Sequence, residues 1–497
     1  MPLDIADLPT ATPIEKKHFT VFEGICAVLS LGLGFFFTHF AFANAGGIWG
    51  GVMWLLFGGL LAVFAVKKRI AIKPLHIMLF VVSAVFSLVP LFSANIAINT
   101  LAAFFVYGVL LYLCIALSGS EVLGRHFVGD MLNAVFARPF SCFVDCPRAA
   151  VSLIGRVRGG KNAFYIFLGL LMAVPLTIVV VFLLMSSDGM FESFMDGVWN
   201  GMPSFSPSVI GELIFGVPIG MFLCGALFAS SARVSQHMDE APTYRIFPLA
   251  AALSAVTPAC VFYVAYLIVQ MNYLSAAFGG TLPEPFTYSE FARRGFFELC
   301  VIAFINFGLI ILMQTFAVRK DGDKRHVALK VYTVILSVLT LMLIACAMSK
   351  MFIYIGEYGM TQLRVYTSWF MALLAVMFIV MIAMQFLEFP VWKVIFAAFT
   401  VMFGVLCFSN VDGAIARYNV RAYQSGALEK VDMYSMGDLG VSAVPYVVEV
   451  EADFPSGAAD FYGEVLRELE RTSDVDYFSI PRCIARNILA ERGYGNE

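Results

Sequence analysis

The sequence predicts an all-α fold: a polytopic bundle of about eleven transmembrane helices with a small helical C-terminal domain. Three observations predict it. Of 497 residues, 60% are hydrophobic and 13% charged, against roughly 25% charged in a soluble domain. The apolar residues gather in runs close to the ~20 residues that span a bilayer core. Lysine and arginine concentrate in alternate gaps between those runs, as the positive-inside rule requires. A soluble globule of this length could not hide so much apolar surface, whereas lipid accepts it.

The elements follow in chain order. Residues 1–19 form a cytoplasmic tail, with acids and prolines ahead of Lys16 and Lys17. They lack the basic start and small-residue cleavage site of a removable signal, so the first apolar run is expected to stay as an anchor. Four runs fill 20–117: 20–42, 48–66, 75–92 and 96–117. Residues 118–162 form a cytoplasmic segment, in which Phe127, Met131, Leu132, Val135 and Phe136 share one amphipathic face. That face suits a helix on the membrane surface or one packed beneath the bundle. Seven runs fill 163–409: 163–185, 209–231, 247–271, 295–317, 331–353, 365–386 and 394–409.

With the N-terminus inside, the cytoplasmic segments hold 20 lysines and arginines. The outer loops and helix ends hold four: Arg293, Arg294, Lys350 and Arg364. The loop 186–208 carries Asp188, Glu192 and Asp196 with no basic residue. Eleven crossings from an inside start leave 410–497 outside. That tail has 8 basic and 15 acidic residues, a net of −7. Helices are expected in it from Ser456, with Phe461, Val465, Leu466 and Leu469 on one face, and from Ser479 to Gly493. The stretch "SAVPYVVEVE" fits strand or helix.

Few motifs carry chemistry. Cys142 and Cys146 are badly spaced for zinc, with only His126 nearby and no second pair. Most of the ten cysteines lie in apolar runs and act as small hydrophobes. Cys483 is alone in the tail, which excludes a disulfide within it. "RGGKN" lacks the frame of a phosphate loop. No metal, no cofactor and no nucleic acid is implied. Gly46 with Gly50, Gly47 with Gly51, and Gly216 with Gly220 have the spacing that lets helices approach closely. Pro175, Pro218 and Pro258 fall within three consecutive runs, as in helices that kink around a cavity. No run carries a charge near its centre, and Glu23, Glu212, Glu298 and Lys350 all sit near helix ends. Asn306 is the main polar residue at mid-depth. This pattern argues against ion-coupled carriage.

Candidate site residues gather on the outer side. Glu290, Arg294 and Glu298 are spaced i, i+4, i+8, a ladder of alternating charge at the mouth of a helix, with Arg293 beside it. Glu357 and Arg364 lie in "YIGEYGMTQLRVY", and Asp412 and Arg417 in "NVDGAIARYNVRAY". These eight residues form either an anchoring belt that sets helix depth or a site for a polar headgroup or outer ligand. "YSEFARRGFFEL", "EYGMTQLRVYTSWF", and "NVDGAIARYNV" with "SAVPYVVE" resemble a bacterial integral membrane family known as a domain of unknown function, of the DUF4173 or DUF4153 type. The resemblance covers about 240–450. It implies a multi-pass protein of the bacterial inner membrane and carries over no activity or catalytic residue.

Three functions remain open: a non-enzymatic envelope sensor or scaffold, a carrier or flippase for a small or lipid-linked molecule, and an outer-leaflet transferase. The first asks least of the residues. Its partners would be the bilayer and, beyond it, a lipid headgroup or an extracytoplasmic protein.

Overall fold

The computed structural model describes residues 19–42, 47–119, 138–154, 207–231, 248–278, 296–316, 326–472 and 476–494, with a few isolated positions between 180 and 195. Every regular element among them is helical. In chain order they are α1 (Val21–Phe36, widening into a π-helical turn Phe37–Phe42), α2 (Ile48–Lys67), α3 (Pro74–Phe86), α4 (Val89–Phe92) and α5 (Ile96–Leu117). Next come α6 (Arg138–Ser141), α7 (Asp145–Ile154), α8 (Pro207–Ala229), α9 (Leu249–Phe278) and α10 (Phe296–Phe316). Then follow α11 (Val327–Tyr358), α12 (Gln362–Phe386), α13 (Val391–Phe408) and α14 (Val411–Gln424). The chain ends with α15 (Met433–Gly437), α16 (Val444–Val447), α17 (Pro455–Arg471) and α18 (Ile480–Glu491).

Among the described residues, ten helical stretches are long and apolar enough to cross a membrane: α1, α2, α3 with α4, α5, and α8 to α13. They coincide with ten of the eleven expected runs. The other run, 163–185, lies outside the described residues, as do Pro175 and the face of Phe127, Met131, Leu132, Val135 and Phe136. Outward side chains on these helices are apolar: Phe104 is 68% exposed, Phe262 73% and Val401 67%. In water such surface would be costly at about 25 cal/mol per Å². Lipid removes that cost, so the chain is a multi-pass membrane protein.

The contacts divide the chain into two compact units. The first comprises Met1–His39, Gly59–Ala71 and Asn133–Ala232. Its centre is the antiparallel pair α1 and α8. An added Cβ on Gly34 would lie 2.1 Å from the Gly216 oxygen, and one on Gly220 would lie 2.6 Å from Leu31 Cα. Only glycine permits that approach, so the expected Gly216–Gly220 pair serves packing. Thr38 Oγ1 donates to the Glu212 carbonyl at 3.1 Å, and His39 Nδ1 lies 2.8 Å from Glu212 Oε2. At the other end, Thr20 and Glu23 cap α1 reciprocally, and Lys68 pairs with Glu23. The described part of 118–162 packs here too: Gly24 of α1 abuts Ala149 and Leu153 of α7. Cys142 and Cys146 are both buried within this packing.

The second unit comprises Phe40–Gly58, Ile72–Leu132 and Arg233–Glu497. Helices α9 to α12 share a core that includes Phe296, Leu336, Met371 and Phe378. Beside it, Phe86, Phe105 and Phe403 stack, with Phe86 4.7 Å from Phe105 and 5.7 Å from Phe403. Helix α11 has 32 residues, longer than the expected 331–353. Lys330 and Lys350 lie twenty positions apart on it, about 30 Å at 1.5 Å per residue, one bilayer core.

After α13 the second unit continues as short helices that bury Val420, Leu439, Val444, Phe461, Val465, Leu469 and Leu489. "SAVPYVVEVE" resolves as a 3-10 turn running into α16. Helix α17 begins at Pro455 with Phe454 as its cap, so Ser456 lies inside the first turn and does not cap it. Proline fixes the helical φ there without needing an N–H bond. Ser479 precedes α18 and Gly493 ends it at a φ of 83°.

Candidate functional site

Where the second unit meets its C-terminal domain, one carboxylate draws three elements together. Asn410 leaves α13 in the left-handed region (φ 44°) and turns the chain sharply. Asparagine tolerates that conformation better than most residues. Two positions on, Asp412 falls in the first turn of α14, where the helix dipole favours an anion. It is 5% exposed. Asn95, the N-cap of α5, donates through Nδ2 to Asp412 Oδ2 at 2.9 Å and to Tyr366 Oη at 3.1 Å. Gln362, first residue of α12, donates through Nε2 to Asp412 Oδ1 at 2.8 Å and to the Asp438 carbonyl at 3.1 Å.

Both amides are held in one orientation. Asn95 Oδ1 accepts from the Ile98 N–H at 3.1 Å, so its NH2 must face Asp412. The second proton of Gln362 is taken by Asp438. Two fixed donors converging on one side chain require two acceptors, which aspartate supplies and asparagine does not.

A second clamp joins α14 to the α11–α12 turn. Asn419 accepts from the Met360 N–H at 2.7 Å and donates to the Met360 carbonyl at 2.8 Å, mimicking a peptide. Gly359 holds a φ of 73°, and a Cβ there would lie 2.7 Å from Asn419 Oδ1. Arg364 donates to the Tyr358 carbonyl at 3.0 Å and to the Gly359 carbonyl, and sits 4.0 Å over the Tyr354 ring. Its charge thus neutralises the carbonyl end of α11.

The eight expected residues are placed differently from one another. Glu290, Arg293 and Arg294 lie outside the described residues, and with them most of the i, i+4, i+8 ladder. Glu298 is described, exposed, and within electrostatic reach of Lys350 on α11 and Tyr266 on α9. Glu357 and Arg417 are exposed. Asp412 and Arg364 join the clamps above. Asn95, Gln362 and Asn419 were not among the candidates, since neutral amides in sequence carry no chemical flag. Asn95 had one signal, its place just before an apolar run, where caps occur.

Polar side chains also line the seam between α9, α10 and α11. Tyr263 Oη donates to Asn306 Oδ1 at 3.0 Å, and Asn306 Nδ2 donates to Thr340 Oγ1 at 2.9 Å. Gln314 Nε2 donates to Thr333 Oγ1 at 2.9 Å. Glu298, Asn306 and Gln314 repeat every eight residues along α10; Asn306 meets Thr340 and Gln314 meets Thr333 in antiparallel register, and Lys350 lies within electrostatic reach of Glu298. Asn306, Thr333 and Thr340 are fully buried, and Lys350 is 3% exposed. Hydrogen bonds between membrane helices contribute about 0.6 kcal/mol each, so the seam sets register more than strength.

Among the described residues no three His, Cys, Asp or Glu side chains gather to hold a metal. Burial pushes the Asp412 carboxyl above the usual range, while the Asn95 and Gln362 bonds pull it down less strongly. Its folded pKa therefore exceeds the unfolded value of about 3.9, and the folded chain holds the proton longer. The stability this proton supplies is present in acid and is lost as pH rises through the folded pKa. The melting temperature of the native chain relative to Asp412→Asn should fall as pH rises from about 4. A difference that is flat or rises with pH would refute the assignment.

No curated protein and no solved structure matches the chain. Residues 77–450 match a protein family described as a domain of unknown function (DUF4153). The match takes in α3 to α16 and so includes both clamps, the polar seam and all eight candidate residues. It reaches well upstream of the segments whose motifs first suggested such a family, and on that extent the chain belongs to the DUF4153 family.

Proposed function

We propose that the protein is a non-enzymatic membrane scaffold that presents its acidic C-terminal domain on the extracytoplasmic side of a cell membrane, an inner membrane if the source is bacterial. The observation that carries the reading is the double clamp at Asp412 and Asn419. It fastens the helices that follow α13 to the ends of α5, α11 and α12. Neither clamp leaves a charged group poised for chemistry, because Arg364 is committed to backbone carbonyls and Asp412 to two amides. The exposed Glu298, Glu357 and Arg417 then belong to the surface that meets a polar headgroup or an outer protein.

A count of crossings supports the proposed sidedness. Asp412 joins the start of α5 to the start of α12, so an even number of crossings must separate them. The described residues supply five: α5, α8, α9, α10 and α11. Antiparallel packing of α1 and α8 likewise needs an even number between them, and the described residues supply three. One further crossing between α5 and α8 would correct both counts, and the sequence offers an apolar run there, 163–185. Eleven crossings then put the termini on opposite sides, and the basic loops make the N-terminal side cytoplasmic.

The test has two arms. In a Cys483→Ser background, Ser425→Cys should react with an impermeant maleimide on intact cells, and Ala71→Cys only after lysis. The reverse pattern would overturn the sidedness. In cells lacking the native copy, Glu298→Gln or Glu357→Gln should restore function, whereas Asp412→Ala at equal protein level should not. Loss of function from a single Glu→Gln change, with the protein intact, would overturn the scaffold reading. The polar seam of α9 to α11 favours a second reading, a carrier or flippase. That reading requires labelled lipid or solute to move in reconstituted vesicles, and Asn306→Leu to slow the movement.

A further inference from the structure

We propose that α18 seats the C-terminal domain on the bilayer, with Phe478, Ile480 and Ile484 dipping into the headgroup boundary of the membrane that the chain itself spans. Three observations within the second unit lead there.

The first is depth. The Asp476 carbonyl accepts from the Ile48 N–H at 3.0 Å, and Asp476 Oδ1 accepts from Trp49 Nε1 at 2.7 Å. Asp476 is therefore held at the first turn of a membrane helix, beside an indole, a ring that favours the membrane–water interface. Phe478 follows two residues later, and α18 itself packs against α4. Phe92, which ends α4, and Ile96, which starts α5, are exposed apolar side chains at the same end of the spans, at 40% and 56%.

The second is the face. Pro481, Arg482, Ala485 and Leu489 turn inward to the domain core. Arg482 donates to the Leu469 and Thr472 carbonyls, closing the end of α17. The opposite face carries Ile480, Cys483, Ile484 and Asn487, all exposed. Phe478, Ile480 and Ile484 are each 45% exposed. A half-exposed isoleucine or phenylalanine at the end of an apolar bundle is solvated best by lipid.

The third is polarity along the helix. The apolar half of that face is the end nearest Trp49, and Asn487 and Glu491 occupy the far end. The helix thus suits a tilted seat with its N-terminal end deepest. The contact is independent of which side the domain occupies, so its failure and that of the scaffold reading are separable.

Cys483 lies between Ile480 and Ile484 and is itself exposed. The full chain, with Cys260→Ala, would be labelled at Cys483 with an environment-sensitive fluorophore and placed in nanodiscs of phosphatidylcholine and phosphatidylglycerol. The same label on Ser425→Cys, in a Cys483→Ser background, is the reference. The expected result is blue-shifted emission at Cys483, quenched by lipids bearing a nitroxide near the headgroup, with neither effect at residue 425. Ile480→Glu with Ile484→Glu should abolish the quenching while the domain stays protease-resistant, since both side chains point away from its core. Emission at Cys483 equal to the reference and unquenched by the lipid would overturn the proposal. So would protection of the label that appears only when two chains share a disc, which would make this face an interface between copies.

Discussion

Replacing Asp412 by alanine is expected to cost the second unit about 2 kcal/mol, since two half-buried donors lose their acceptor, each at the lower end of the about 1–3 kcal/mol typical of a buried group. Neither donor can turn away. Asn95 is held by its cap to Ile98, and Gln362 by the Asp438 carbonyl. The purified chain in detergent should unfold at a clearly lower temperature, and protease should cut earlier between α13 and the C-terminal domain. Asp412→Asn keeps one acceptor but aims an NH2 at a fixed donor, so it should fall between the two. An unchanged midpoint for Asp412→Ala would mean that the domain is held elsewhere, leaving the scaffold reading without its main support.

Substituting leucine for Gly34 is expected to be comparably severe, at about 3 kcal/mol. Even the first added carbon would lie 2.1 Å from the Gly216 oxygen and 2.3 Å from the Gly220 nitrogen. Both atoms are backbone, so no side-chain rotation relieves the clash. Helices α1 and α8 must separate, and Thr38 then loses its bond to Glu212. Gly50→Leu is the matched control, because nothing lies within 4 Å of a Cβ there. Similar melting temperatures for the two variants would show that the α1–α8 contact is looser than described.

The contrast between these glycines marks where sequence reading stops. Gly46–Gly50, Gly47–Gly51 and Gly216–Gly220 share one spacing and one expectation. Gly220 presses on Leu31 and Gly51 on the Ser87 carbonyl, while Gly50 faces open space. Spacing says that two small residues share a helix face, and only the neighbouring helix decides whether that face is used. The charged residues teach the same lesson. Asp412 was legible as a candidate because a carboxylate beside an apolar run is conspicuous. Its partners Asn95 and Gln362 were not, being neutral and 317 and 50 residues away. Ser456 had the residue type of a cap, yet Pro455 set the helix start two residues earlier than such a cap would.

What the sequence determined by itself is the class and the run of spans. Those depend on how many consecutive residues lipid will accept, a property of composition and length that holds before any helix meets another. Which polar groups become joints was decided by tertiary structure alone. A buried amide or carboxylate is stable only opposite its complement, and in this chain the complement is brought into reach by packing, from other helices as far as 317 residues away.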